Sequence, residues 1–307
     1  MGGIDPILLL ASLMVASTPI LLAALGELIC ERSGVLNLGV EGMMITGAVC
    51  GFAATVMTGS PWLGFGAAAL AGAAMALIFG VLTQYLLSNQ VATGLALTLF
   101  GLGLSALIGQ SYAGITIERP APVWLPGLRD IPWLGPILFR HDIILYLSLA
   151  LVAAIWWFLA RSRGGLILRA VGENHDAAHA LGYPVIAIRM AAILFGGAMA
   201  GLGGAYISIM RLRQWTEGMT SGAGWIALAI VVFASWRSGR VLLGAYLFGG
   251  VAVLQLNLQG AGFRIPAVLL SASPYLITIL VLVLMSLSRN ARNAGPADLG
   301  RIFHASS

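Results

Sequence analysis

Apolar residues run along this chain in long stretches, without the alternation of a half-buried strand or the narrow stripe of a soluble amphipathic helix. A helix needs about 20 mostly apolar residues to cross a hydrocarbon core. Read with that window, the chain gives nine candidate spans. They lie at Ile7–Leu28, Val35–Met57, Trp62–Leu87, Val91–Ile108, Ile143–Leu159, Met190–Met210, Gly222–Ser235, Val241–Leu258 and Leu269–Leu287. The predicted fold class is an all-α integral membrane protein, a polytopic bundle of about nine transmembrane helices. Residues 1–288 form one transmembrane domain and 289–307 a cytoplasmic tail. Two spans are irregular: the seventh is short and starts on glycine, and the second holds Asn37, Gly39, Glu41 and Gly42 in an otherwise apolar run.

The polar segments between spans add an orientation. With the N-terminus outside, ten arginines fall on the inner side and six on the outer, so the C-terminus is cytoplasmic. The first span has no positive charge before it and no small-residue cleavage pattern, which predicts a retained helix. The long outer loop, about 111–142, carries five prolines with Trp124 and Trp133. It reads equally as an ordered cap or as a plain connector. The long inner loop, about 160–189, has its own helix signals. Asn174 is an N-cap, Asp176 an acid in the first turn, Gly182 a C′ residue and Pro184 a stop. A helix this short is unstable alone in water and must dock on something. Its small face, Ala177, Ala178 and Leu181, suits close approach by a partner.

Composition narrows the chemistry. The chain is 59% apolar and 9% charged, with 40 glycines. All 16 basic residues are arginine. A P-loop needs a lysine on the phosphates, so this chain holds no P-loop, and Schiff-base lysine chemistry is excluded with it. Cys30 and Cys50 form no CxxC pair and read as packing residues. His175 and His179 are four apart but lack a third ligand, so no metal site is predicted.

The candidate site lies in the second span. A carboxylate at membrane depth costs roughly 2.5–3.5 kcal/mol on insertion scales and usually faces a bundle interior. Asn37 and Glu41, four apart, would share a helix face there. Gly39 and Gly42 could interrupt the helix, and broken helices line midplane solute sites. Two roles stay open for Asn37 and Glu41, solute contact and a buried inter-helix clamp. Thr93 and Thr98 are further candidate liners from the fourth span, and Glu31 with Arg32 reads as an interfacial anchor. The glycine run Phe195–Gly204 reads as a close-packing helix surface.

Four stretches carry a family resemblance. They are Gly26–Met44 with its Glu27, Glu31, Asn37 and Glu41; Asn89–Thr98; Ala170–Gly182; and Gly222–Ile230 followed by Ser238-Gly-Arg and Leu243-Gly-Ala. Together they resemble bacterial ABC importer permeases of the nucleoside and simple-sugar branch, in a superfamily that includes ribose-type and branched-chain amino acid permeases. The resemblance runs from about Pro19 to Leu287. It implies a subunit of the inner membrane that is not itself an enzyme and binds no cofactor. The implied partners are a homologous permease subunit, an ABC ATPase carrying ATP with magnesium, and an extracytoplasmic binding protein or lipoprotein. Glu173, Asn174, Asp176, Ala177, Ala178, Leu181 and Gly182 would form the ATPase-coupling element, and Asn37, Gly39, Glu41 and Gly42 the solute-lining break. The alternatives are a branched-chain amino acid permease and an ion-coupled secondary transporter. Only Glu41 lies clearly within a span, which argues against the latter.

Overall fold

Seven helices among the described residues are long and apolar enough to cross a membrane. The structure is a computed structural model and describes residues 6–118, 120, 134–260 and 295–304, with positions 276, 279, 280 and 283. Helix α1 spans Pro6–Arg32, α2 Val40–Thr58, α3 Pro61–Gly80 and α4 Gln90–Gly109. A short α5, Leu134–Leu138, precedes α6, Ile143–Arg161. Then come α7 Arg163–Glu173, α8 His175–Ala180, α9 Val185–Ala205, α10 Ala223–Phe233 and α11 Ser238–Gly260. Helices α3 and α9 each end in a π-helical turn, Val81–Tyr85 and Tyr206–Arg211.

Eight of the nine expected spans therefore have a helix, and the ninth, Leu269–Leu287, falls almost wholly outside the described residues. Among the described residues seven of these are full crossings, because α10 has only 11 residues. At 1.5 Å per residue it is about 16 Å long, roughly half a hydrocarbon core. The sixth span begins at Val185, not Met190, so the inner loop is shorter than its polar composition suggests. That loop also contains α7, an amphipathic helix that the sequence reading passed over.

Helix α9 lies between α1, α2 and α3. Its glycine face does what the run Phe195–Gly204 predicted. Without side chains, the backbones approach closely enough for dispersion contacts to hold helices together in lipid. Gly204 is the tightest point: a Cβ there would sit 1.9 Å from the Met44 carbonyl oxygen of α2. Gly204→Ala is expected to cost about 3 kcal/mol, since rigid backbone cannot yield to overpacking. The unfolding temperature in detergent should fall accordingly. Gly103→Ala, where a Cβ meets nothing within 4 Å, is the control and should leave that temperature unchanged.

Candidate functional site

The site begins where the chain leaves α1. Residues 33–39 are not helical. The Asn37 side-chain oxygen accepts the N–H of Gly39 at 2.9 Å, a local turn that competes with the helix ladder. Helix α2 therefore starts at Val40, not Val35, and Asn37 does not share a helix face with Glu41. Asn37 is fully buried, and its backbone N–H donates to Glu27 at 3.3 Å. Gly42 lies within α2, so it does not break the helix. It permits a crossing instead, because a Cβ there would lie 2.6 Å from the Leu97 carbonyl oxygen of α4. Gly39 stands at the same crossing, facing the Gly94 carbonyl.

Glu41 closes the arrangement. Its carboxylate, 3% exposed, accepts from the Thr220 hydroxyl at 2.5 Å and the Gly222 N–H at 2.9 Å on one oxygen. The other oxygen accepts the Gly224 N–H at 2.7 Å. Gly222 is the N-cap residue of α10, which has no capping side chain of its own. Glu41 thus supplies from α2 the acceptors that a helix start lacks, and its charge meets the positive end of the α10 dipole. The far end of α10 is tied to the end of α1. The Trp236 indole N–H donates to Glu31 at 2.5 Å, and the Trp236 carbonyl accepts from Arg32 at 2.9 and 3.2 Å. With α10 about 16 Å long, Glu41 stands near the middle of a hydrocarbon core about 30 Å thick. Two helices start together at that depth.

The Leu38 carbonyl, on the irregular segment between α1 and α2, is held from both sides. Thr98 donates to it at 3.0 Å from α4, and the Trp225 indole donates at 3.4 Å from α10. Thr98 is buried, whereas Trp225 keeps 47% of its surface exposed. Thr93 stands apart: its hydroxyl pairs with Ser88 at 2.8 Å in the first turn of α4. Asn37, Gly39, Glu41, Gly42 and Thr98 therefore come together and Thr93 does not. Sequence reasoning missed Thr220 and Trp225 as members. It also read Glu31 as an interfacial anchor. Glu31 is instead fully buried, because Trp236, 205 residues away, folds onto it.

The second candidate element is α8. The Asn174 side chain accepts the Ala177 N–H at 2.8 Å, the expected N-cap bond. At the other end Gly182 takes φ +87°, its N–H donating to His179 and that of Tyr183 to Ala178. These are the two bonds of a Schellman stop. One part of the expected docking face is corrected. Ala178 is 2% exposed and packs on Val171, Val185 and Phe303, whereas Glu173, Asp176, Ala177, Leu181 and Gly182 face outward. A helix of six residues has too little periodicity to fix which side is covered.

What covers it is the segment 295–304, read from sequence as part of a tail. The Asp298 N–H donates to the Gly172 carbonyl at 3.0 Å, and Asp298 Oδ2 accepts the His175 N–H at 2.8 Å. The Gly300 N–H donates to Gly34, and Phe303 meets His175 and His179 edge-on at 5.3 Å. Arg189, fully buried, donates to the carbonyls of Ser33 and Arg301. The Nδ1 of His175 lies 2.8 Å from Asp298 and 3.2 Å from Arg189. Burial and the Arg189 charge lower the His175 pKa from its ordinary value, against the pull of Asp298 and Asp176. One strap thus joins α8, the α1–α2 turn and the start of α9.

Residues 9–288 match the family model described as "Branched-chain amino acid transport system / permease component". The chain is 44% identical over 296 residues to a Haloferax volcanii protein provisionally named a glucose ABC transporter permease, covering 89% of this chain and 90% of that one. It is 34% identical to the guanosine ABC transporter permease protein NupQ of Bacillus subtilis, over 88% of this chain and 89% of that one. To the nucleoside ABC transporter permease protein NupC of Lactococcus lactis it is 32% identical, over 90% and 92%.

Proposed function

Since the chain belongs to this branched-chain amino acid transport permease family and is a multi-pass membrane permease subunit of an ABC transporter, we propose that it imports an uncharged polar solute, a nucleoside or simple sugar. The observation that carries this is the occupation of the α10 N-terminus by Glu41. An amino acid would bring a carboxylate, and its natural seat at mid-membrane is a free helix N-terminus. Here that seat already holds a negative charge, which repels a second one. The names of the three relatives, glucose, nucleoside and guanosine, point the same way.

In this reading Asn37, Gly39, Glu41, Gly42 and Thr98 build the wall of the pathway, with Glu41 as its internal clamp. Trp225, half exposed beside the Leu38 carbonyl, offers a ring face for a base or a sugar. The pathway is completed by a homologous permease subunit. The outward face of α8, with Glu173, Asp176, Ala177 and Leu181, receives an ABC ATPase that carries ATP with magnesium. An extracytoplasmic binding protein delivers the solute, and the N-terminus lies on its side of the membrane.

The test is uptake by the assembled transporter in vesicles, with labelled nucleoside, hexose and leucine. Nucleoside or hexose uptake is expected, and leucine uptake in their place would overturn the reading. Trp225→Ala should lower uptake about tenfold, a loss of about 1.4 kcal/mol that matches one ring contact, while Trp225→Phe should retain most of it. Equal loss in both variants would remove Trp225 from the pathway.

A further inference from the structure

At the end of the bundle that carries α8, the turn between α10 and α11 closes one side of a pocket of about 580 Å³. Four arginines line it: Arg32 from α1, Arg169 from α7, Arg237 from the turn and Arg240 from α11. None of the described lining residues is acidic. The two nearby carboxylates are engaged elsewhere. Glu31 accepts the Trp236 indole, and Glu173, within electrostatic reach of Arg32, accepts the Ala297 N–H at 3.4 Å. Arg32 is repelled by both Arg169 and Arg237. Positive charges gathered this closely call for an anion.

Two further features say where an anion would sit and what it would be attached to. Ser238, which lines the pocket, is 3% exposed, and its hydroxyl has no hydrogen-bond partner. A buried hydroxyl without a partner is unfavourable unless a ligand supplies one. Ser238 is also the first residue of α11, a 23-residue helix whose first-turn N–H groups and dipole favour negative charge. Part of the lining is apolar: Trp156 and Leu159 from the end of α6, with Trp156 56% exposed. Trp157 beside it is 58% exposed, so a pair of tryptophans marks this level as a membrane–water interface.

We propose that this pocket seats the phosphodiester of an anionic phospholipid. The phosphate oxygens lie against the Ser238 hydroxyl, the start of α11 and the guanidinium groups of Arg237 and Arg240. The acyl chains run along the apolar wall of α6. Basic pockets between membrane helices recognise lipid head groups by this combination of charge and apolar surface. A free phosphate ion would share the head chemistry but would make no use of the tryptophan wall.

The experiment is native mass spectrometry of the purified protein after exposure to equal amounts of phosphatidylglycerol and phosphatidylcholine. The protein should retain phosphatidylglycerol preferentially. Arg237→Gln with Arg240→Gln should reduce that preference by about fivefold per arginine. Ser238→Ala, which keeps every charge, should lower the amount of phosphatidylglycerol retained and serves if the double variant does not fold. Inorganic phosphate alone, titrated calorimetrically, separates the two sources. Phosphate binding with no preference between the lipids would assign the pocket to a soluble phosphoanion and overturn the lipid. Equal retention of both lipids, a preference unchanged in the arginine variant, or phosphatidylglycerol retention unchanged in Ser238→Ala would overturn the site.

Discussion

Glu41→Ala is expected to abolish uptake and to destabilise the permease by about 3–5 kcal/mol, because it leaves three donors, two of them buried, without an acceptor. Those donors are the Thr220 hydroxyl and the Gly222 and Gly224 N–H groups. Glu41→Gln separates the two roles still open for this residue. A glutamine keeps one acceptor oxygen but turns an NH₂ group toward the Gly224 N–H or the Gly222 N–H, so it should cost about 2 kcal/mol. If Glu41 acts as a clamp, uptake by this variant should fall together with its unfolding temperature in detergent and recover in cooler assays. Loss of uptake at an unchanged unfolding temperature would instead make the carboxylate a direct solute contact. A wild-type unfolding temperature in Glu41→Ala would remove the clamp altogether.

The second large effect is expected at Asp298. Removing its carboxylate deprives the His175 N–H of its acceptor and Arg301 of its partner at 3.1 Å. A hydrogen bond to a charged acceptor contributes about 1.5–3 kcal/mol, so Asp298→Ala should weaken docking of the strap on α8 roughly ten- to hundredfold. Hydrogen exchange over residues 172–180 should rise, while exchange in α1, α2 and α9 stays unchanged. In the assembled transporter the solute moved per ATP hydrolysed should fall. Asp298→Asn keeps an acceptor for the His175 N–H and should restore part of both readouts. Protection of 172–180 that is unaltered in Asp298→Ala would show that the strap does not hold α8.

Much of this fold could be read from the chain, because a span is a local property. Twenty apolar residues announce themselves without reference to the rest of the protein, and so do the caps at Asn174 and Gly182. The start of α2 was placed five residues early for the same reason. Val35, Leu36 and Leu38 are as apolar as any span, and only the turn made by Asn37 shows that they lie outside the helix. The site was legible in part. An acid inside an apolar run marked Glu41, and two glycines marked its neighbourhood, but the partners that define its chemistry lie 179 to 183 residues away. Glu31 failed in the same manner, since nothing near it in sequence signals that Trp236 will cover it. Segment 295–304 is polar and glycine-containing, which is the composition of a loose end. Its docking rests on single hydrogen bonds to distant residues and on one aromatic ring, Phe303, and these leave no periodic trace.

The strap also sets an order of events in the making of the protein. Asp298 follows the residue it caps, His175, by 123 positions. At a synthesis rate of about 5–20 residues per second, it leaves the ribosome roughly 6–25 seconds after α8 does. Throughout that interval α8 is a six-residue helix whose inner side, Ala178 and His175, has not yet met Phe303. The surface of α8 proposed to receive a motor subunit therefore matures only after residues 295–304 have been made. A chain whose translation stops between α8 and this segment cannot cover that inner side, so eligibility for assembly waits on residues far downstream.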